Sequence, residues 1–171
     1  PPGPTGMGDL TVPASGARPS NTREPPASMC GIVGIVSSQP VNQQVYDALL
    51  LLQHRGQDST GIATAEGSIL HMVKVKGQVR EAYRTRDMRS LLGNVGLGHV
   101  RYATKGSASS EEEAQPFYVN APYGITLVHN GNLTNTRELT QELFHVDRRH
   151  LNTSSDTELL VNVLANELQE Q

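Results

Sequence analysis

The only cysteine of the 171-residue sequence, Cys30, follows Met29 directly and precedes a short run of Gly, Ile and Val residues. If Met29 were removed, Cys30 would be the first residue. A free α-amino group has a pKa of about 7.7–8.0 and a cysteine thiol one of about 8.5, so proton exchange between them is nearly balanced near neutral pH. One residue would then supply both nucleophile and general base. The alternative is that Cys30 is a small buried hydrophobic residue, the common role of a lone cysteine.

Bulk composition excludes several classes of partner. The net charge is −3, with 14 basic and 17 acidic residues, and this balance gives no reason to expect nucleic-acid binding. No apolar run approaches the roughly 18 residues that a membrane-spanning helix needs, so we expect no membrane contact. One cysteine allows neither an internal disulfide nor a multi-cysteine metal site in this segment. We therefore expect a reducing, cytoplasmic location and no metal bound by this segment.

The sequence divides into two parts of different composition. Seven of the ten prolines lie in the first 28 residues, which show almost no apolar periodicity. We expect 1–29 to be a disordered Pro-rich extension or a propeptide, and 30–171 to be one domain. The chain starts with Pro1 and stops at Gln171 within a helical pattern, so we expect it to be a fragment of a longer protein.

The elements that must position Cys30 follow it directly. Residues 31–37 are typical of a buried strand, and helical spacing from Val41 predicts a helix to about His54. Residues 62–64 and 69–75 read as a strand pair across a turn near Gly67. A weaker helix is predicted over 80–92, and a strand over 95–102.

The second half combines a polar loop with two helix signals. The loop over 105–115 contains three successive glutamates and is a candidate lid. A short strand over 125–128 leads into Asn130 and Gly131. Asn135 with Glu138, and Ser155 with Glu158, predict capping boxes at the start of two further helices.

Four segments, in this order along the chain, resemble the class II glutamine amidotransferase domain, a family of N-terminal nucleophile hydrolases: Cys-Gly-Ile-Val-Gly (30–34), Gln-His-Arg-Gly-Gln-Asp-Ser-Thr-Gly (53–61), Gly-His-Val-Arg-Tyr-Ala-Thr (98–104) and His-Asn-Gly-Asn (129–132). The form of the second segment looks like that of glutamine phosphoribosylpyrophosphate amidotransferases. Glucosamine-6-phosphate synthases usually have tyrosine at the position of Gln57, and asparagine synthetases proline. The resemblance covers 30–171 and implies an α+β fold, a four-layer αββα sandwich of the N-terminal nucleophile hydrolase type, truncated at its C-terminal side.

The resemblance also implies an activity. L-Glutamine would be hydrolysed to glutamate and ammonia through a thioester on Cys30. In the full enzyme the ammonia would convert phosphoribosylpyrophosphate to 5-phosphoribosylamine, the first step of de novo purine biosynthesis. Two alternatives stay open: the glutaminase domain of another amidotransferase such as glucosamine-6-phosphate synthase, or a non-catalytic glutamine-binding fragment in which Cys30 is not N-terminal.

The same resemblance sets expectations for cofactors and assembly. No cofactor is expected in this segment, whereas the full enzyme is expected to use Mg²⁺. An iron–sulfur cluster, present in some members, would need cysteines beyond Gln171. The full-length protein is expected to form a homo-oligomer.

The resemblance assigns roles that ordinary structural explanations also fit. Asn130 and Gly131 would supply a side-chain amide and a backbone N–H to the oxyanion of the tetrahedral intermediate. The alternative is a type I′ turn, which Asn-Gly strongly favours.

For substrate binding, Arg101 would hold the α-carboxylate of glutamine, and Asp156 its α-ammonium group. Thr104 would add backbone contacts, and Arg55 would order the site beside Cys30. The alternatives are a surface charge at a strand end for Arg101, a first-turn helix acid for Asp156, and a helix C-terminal cation for Arg55.

Overall fold

A computed structural model describes residues 29–102, 111–146 and 148–169. The Pro-rich segment before Met29 and the predicted substrate contact Thr104 therefore lie outside the described residues. None of the helices in these ranges is both long and apolar enough to cross a membrane.

The described elements alternate between strands and short helices. In chain order they are β1 (Gly31–Val36), α1 (Asn42–Leu51), a 3-10 turn (Gln53–Arg55), β2 (Ser59–Glu66), β3 (Ile69–Lys76), α2 (Val79–Ala82), α3 (Thr85–Ser90), β4 (Val95–Arg101), a 3-10 turn (Glu111–Glu113), β5 (Phe117–Val119), β6 (Ile125–Leu127), α4 (Thr136–His145) and α5 (Asp156–Gln169).

The larger sheet has the strand order β1-β4-β2-β3, and its pairings are antiparallel. Helix α1 packs on one face of it through Val45 and Leu49, which are fully buried. A Cβ atom at Gly98 would lie 2.7–3.0 Å from side-chain carbons of Val33, Val45 and Leu49. The glycine in β4 therefore lets α1 approach the sheet closely.

A two-stranded sheet of β5 and β6 packs on the opposite face, and α5 covers it. Lys74 on β3 lies 4.8 Å above the ring centroid of Phe117 on β5. A Cβ atom at Gly61 would overlap the main-chain oxygen of Gln115, so the two sheets meet at that glycine. With α4 packed against α5, the layers run helix, sheet, sheet, helix, and the predicted α+β sandwich is confirmed.

Several local predictions are wrong in detail. The helix from Val41 ends at Leu51 and passes into a 3-10 turn, and the helix expected over 80–92 is two short helices, α2 and α3. The loop expected over 105–115 ends in the core, because Ala114 is fully buried and Gln115 is 7% exposed. The strand β5 was not predicted at all.

The predicted capping boxes also fail. Asn135 precedes α4 but makes no capping hydrogen bond. At α5 the Ser155 hydroxyl accepts a bond from the Thr157 N–H at 3.3 Å, whereas the Glu158 carboxylate turns away to the N–H groups of Asn152 and Thr153. The acid three residues after the cap therefore fastens the preceding loop instead of closing a box.

Candidate active site

The main chain of Cys30, directly before β1, is held by two side chains from distant parts of the sequence. Its carbonyl oxygen accepts a hydrogen bond from Arg55 Nε at 3.1 Å and one from Asn130 Nδ2 at 2.9 Å. Gly56 makes this geometry possible, because a Cβ atom there would lie 2.6 Å from the carbonyl oxygen of Arg101. The turn carrying Arg55 thus packs directly on the end of β4, next to β1.

One cavity of about 510 Å³ joins most of the predicted site residues. Cys30, Arg101, Gly131 and Asp156 line it together. Its remaining described lining is largely polar and comprises Tyr102, Glu113, Gln115, His129, Asn132, Leu133, Thr136, Ser154 and Ser155. Arg55 and Asn130 adjoin it through the carbonyl of Cys30. Of the predicted residues, only Thr104 cannot be placed, because it lies outside the described ranges.

The Asn130-Gly131 pair does not form a type I′ turn. That turn requires a positive φ at both central residues, and neither of these residues has one. Gly131 instead packs against the ring of His129, where a Cβ atom would lie 2.7 Å from Nε2. The turn alternative is therefore wrong, while the role of the pair as oxyanion donors stays a prediction.

Arg101 is a partly buried ion-pair centre and not an exposed surface charge. Its side chain is 16% exposed, with Nη1 3.1 Å from Asp58 Oδ2 and Nη2 2.9 Å from Glu113 Oε2. Ser154 Oγ donates to the second oxygen of Glu113 at 3.1 Å. The role of Asp58 was missed although it lies within the second motif. Glu113 was hidden in a run of three glutamates, and no local signal separates it from its neighbours.

Asp156 is a first-turn helix acid that also lines the cavity, while its binding of the α-ammonium group stays a prediction. It is the first residue of α5, and Oδ2 accepts a hydrogen bond from the Leu133 N–H at 3.2 Å. Its Oδ1 lies 3.6 Å from Nδ1 of His129, whose backbone N–H donates to Gln115 Oε1 at 2.6 Å. Asp156 thus also lines the cavity, and His129 links it to Gln115 at the buried end of the 111–115 segment.

Arg55 lies beside Cys30 and does not act as a helix C-terminal cation. It lies in the 3-10 turn that follows α1, yet its Nε donates to the carbonyl of Cys30 and not to a carbonyl of the preceding helix. The structure therefore places it beside the candidate nucleophile.

His99 on β4 is fully buried next to the site. Burial lowers its pKa to about 4; the main chain of His129 opposes this shift, while the positive charge of Arg101 adds to it. Neither ring nitrogen has a partner with hydrogen-bond geometry among the described residues. The imidazole is therefore neutral at physiological pH.

Among the described residues, no group of three or more His, Cys, Asp or Glu side chains could hold a metal ion.

Comparison with known proteins gives the site its context. Residues 71–169 match the family model described as a glutamine amidotransferase domain. The chain is 59% identical over 140 residues to the amidophosphoribosyltransferase of Pseudomonas aeruginosa, and 61% identical over 141 residues to that of Pasteurella multocida. Each alignment covers 82% of this chain and 28% of the relative, so the chain spans little more than a quarter of their length.

A solved structure agrees with these relatives. Glutamine phosphoribosylpyrophosphate amidotransferase from B. subtilis, complexed with ADP and GMP, superposes with a TM-score of 0.69 at 35% identity, covering 78% of this chain and 28% of that one. The resemblance found in the four sequence motifs is confirmed. The chain belongs to the glutamine amidotransferase domain family.

Proposed function

We propose that this domain hydrolyses L-glutamine to glutamate and ammonia through a thioester on Cys30, once Cys30 is the amino-terminal residue. The observation that carries the proposal is the single cavity lined by Cys30, Arg101, Gly131 and Asp156, with Asn130 and Arg55 bonded to the carbonyl of Cys30. A cysteine, an oxyanion-binding pair and opposite charges for an amino acid are the groups that this reaction needs.

The chemistry begins with proton transfer from the Cys30 thiol to its own α-amino group. The sulfur attacks the γ-carbonyl carbon of glutamine, and negative charge collects on the carbonyl oxygen. The carbon–nitrogen bond then breaks, the leaving nitrogen takes the proton from the ammonium group, and ammonia departs. Water attacks the thioester in the second half of the cycle, releasing glutamate and the free thiol.

Asn130 and Gly131 would stabilise the oxyanion in both halves. One amide hydrogen of Asn130 already bonds to the carbonyl of Cys30, and the second remains to donate to the substrate. This attachment fixes the donor to the same residue as the nucleophile. Pre-oriented donors of this kind lose little free energy to reorganisation during the reaction.

Arg101 and Asp156 would fix the amino-acid end of glutamine by charge, and Thr104 would add backbone contacts beside them. Arg101 offers the planar, two-pronged donor geometry that suits a carboxylate. Asp156, on the first turn of α5, would accept the α-ammonium group while its other oxygen stays bonded to Leu133.

For the full-length protein we propose the reaction named in its relatives. The names of both curated relatives, at 59% and 61% identity, support delivery of the ammonia to phosphoribosylpyrophosphate to form 5-phosphoribosylamine. Such a protein would work in the cytoplasm as a homo-oligomer and would use Mg²⁺ with its phosphorylated substrate.

The test is covalent labelling by a glutamine analogue with an electrophilic side-chain carbon, read by mass spectrometry. The full-length protein is expressed with Met29 as its first residue, and Cys30→Ala is the control. We expect one label per chain, on Cys30, and none on the variant. Equal labelling of both proteins would rule out Cys30 as the nucleophile.

A further inference from the structure

The two ion pairs of Arg101 differ in their relation to the cavity. Glu113, on Nη2, lines the cavity together with Arg101 and Ser154. Asp58, on Nη1, does not line it. Asp58 therefore holds the guanidinium from the protein side, whereas Glu113 binds the part of it that faces the space for a ligand.

Glu113 is built into this position. Its side chain is 14% exposed, one oxygen binds Arg101 at 2.9 Å, and the other accepts the Ser154 hydroxyl at 3.1 Å. The residues after it, Ala114 and Gln115, are buried in the core and fix the backbone of the segment. The contact is therefore a property of the fold and not a chance encounter of two flexible side chains.

The charges around Arg101 leave little room for another anion. Asp58 and Glu113 each pair with Arg101, and a third carboxylate, that of Asp156, lines the same cavity. The α-carboxylate of an amino acid would be a fourth, and like charges at short range in a partly buried site repel strongly. On the side that faces the cavity, Nη2 also already donates one of its two N–H groups to Glu113.

We propose that Glu113 is an internal counter-ion, which the α-carboxylate of the substrate displaces from Nη2 of Arg101 on binding. Glu113 thereby sets the affinity of the site for amino acids that carry a free α-carboxylate, while Asp58 keeps the guanidinium in place throughout. This inference rests on the proposed function, since it takes Arg101 as the carboxylate-binding group for glutamine.

Two other roles for Glu113 make the opposite prediction. If it only positioned Arg101, or if it bound the α-ammonium group of the substrate, removing its charge would weaken glutamine binding. If instead the substrate displaces Glu113 from Arg101, loss of the Glu113 charge strengthens glutamine binding. The direction of the change in KM therefore distinguishes them.

The experiment measures glutamine hydrolysis by the full-length protein that begins at Cys30, with Glu113→Gln as the test variant. We expect KM for glutamine to fall roughly 3- to 10-fold with kcat unchanged, because a charge-assisted bond that competes with the substrate is replaced by a weaker neutral one. Asp58→Asn should instead raise KM, because it removes the fixed partner of the guanidinium.

A substrate analogue separates displacement from a general change in the site. In L-glutamine α-amide a neutral carboxamide replaces the α-carboxylate, so it should not compete with Glu113 for Arg101. We expect Glu113→Gln to leave KM for this analogue unchanged while KM for glutamine falls. An equal fall for both compounds would contradict the proposed competition.

The matched control is Glu111→Gln, which removes the same charge from an exposed position in the same turn and should leave KM unchanged.

If Glu113→Gln fails to fold, Ser154→Ala serves instead; it frees one oxygen of Glu113 and should lower KM about 2-fold. A raised or unchanged KM in the test variant overturns the inference while the proposed function stands. Absence of Cys30-dependent hydrolysis in the unsubstituted protein overturns the proposed function itself.

Discussion

The two helical layers of the molecule are built from different chemistry. The fully buried side chains of helix α1, Val45 and Leu49, are both apolar and pack on the larger sheet. Helix α5 buries polar side chains as well: Thr157, Glu158 and Asn162 are at most 7% exposed. The polar helix is also the one that carries Asp156 into the cavity. We infer that the α1 layer supplies stability and the α5 layer positions Asp156.

The largest expected effect comes from weakening the apolar packing of the α1 layer on the larger sheet. Leu49→Ala should lower the free energy of unfolding by about 2–5 kcal/mol, because it leaves a cavity between α1 and the sheet that neighbours fill only partly. Urea unfolding of the full-length protein measures this. In the same helix Leu51 is 79% exposed, and Leu51→Ala should change stability by less than about 0.5 kcal/mol. Similar losses in the two variants would show that α1 does not anchor the core.

In the α5 layer, which buries polar side chains, we expect a smaller loss of stability but a larger effect on glutamine binding. The Glu158 carboxylate accepts bonds from the N–H groups of Asn152 and Thr153 and from the Thr153 hydroxyl, at 2.7–2.9 Å. Glu158→Gln should cost about 1–2 kcal/mol. It should also raise KM for glutamine, because the loop that leads to Asp156 loses its attachment.

The control for that variant is Glu167→Gln, an exposed acid on the same helix. It should alter neither quantity. If Glu158→Gln lowered stability with KM unchanged, the polar layer would be structural only, and the contrast between the two helices would lose its functional meaning.

The sequence predicts the apolar layer better than the polar one, for a physical reason. Helical spacing of Val41, Val45 and Leu49 and the turn at Gly67 depend on contacts within one element or between neighbours in sequence. The burial of Gln115 depends on Gly61, which leaves space for its backbone from 54 positions away along the chain. A run of glutamates and serines therefore looked like a free loop although its end lies in the core.

The candidate site was likewise predictable from the sequence only in part. The motifs indicated Cys30, Asn130 and Arg101, because each lies in a recognisable segment. Asp156 lies outside the four motifs and was assigned from the resemblance over 30–171, and the structure brings the four residues together. The pairing of Arg101 with Glu113 joins a strand end to a 3-10 turn, and no local pattern marks it. Short strands such as β5, three residues long, are likewise set by tertiary packing more than by propensity.

The smallest expected effect concerns pH and the buried His99 on the sheet face next to the site. Its pKa in the folded protein is about 4, below the value of about 6.5 in an unfolded chain. Stability is therefore greatest above pH 6.5 and falls as the pH drops towards 4, since the unfolded state takes up the proton first. Between pH 6.5 and 5.5 we expect a loss of about 1 kcal/mol that is absent in His99→Leu.

Urea unfolding across this pH range measures the difference between the two proteins. His145→Gln, which removes an exposed histidine from α4, is the control and should follow the unsubstituted protein. Parallel curves for the unsubstituted protein and His99→Leu would mean that the imidazole is not the group that titrates.

The central claim is that Cys30 acts as a nucleophile only when its own α-amino group is free. It is tested by comparing glutamine hydrolysis by two forms of the full-length protein, one beginning at Cys30 and one carrying a single uncleavable alanine before it. The fold and cavity should be the same in both, but only the first has the amine that accepts the thiol proton. We predict that the extended form loses at least about 100-fold in kcat. A loss of about 10²- to 10⁴-fold is what removal of a general base can cause. Equal rates for the two forms would contradict the account.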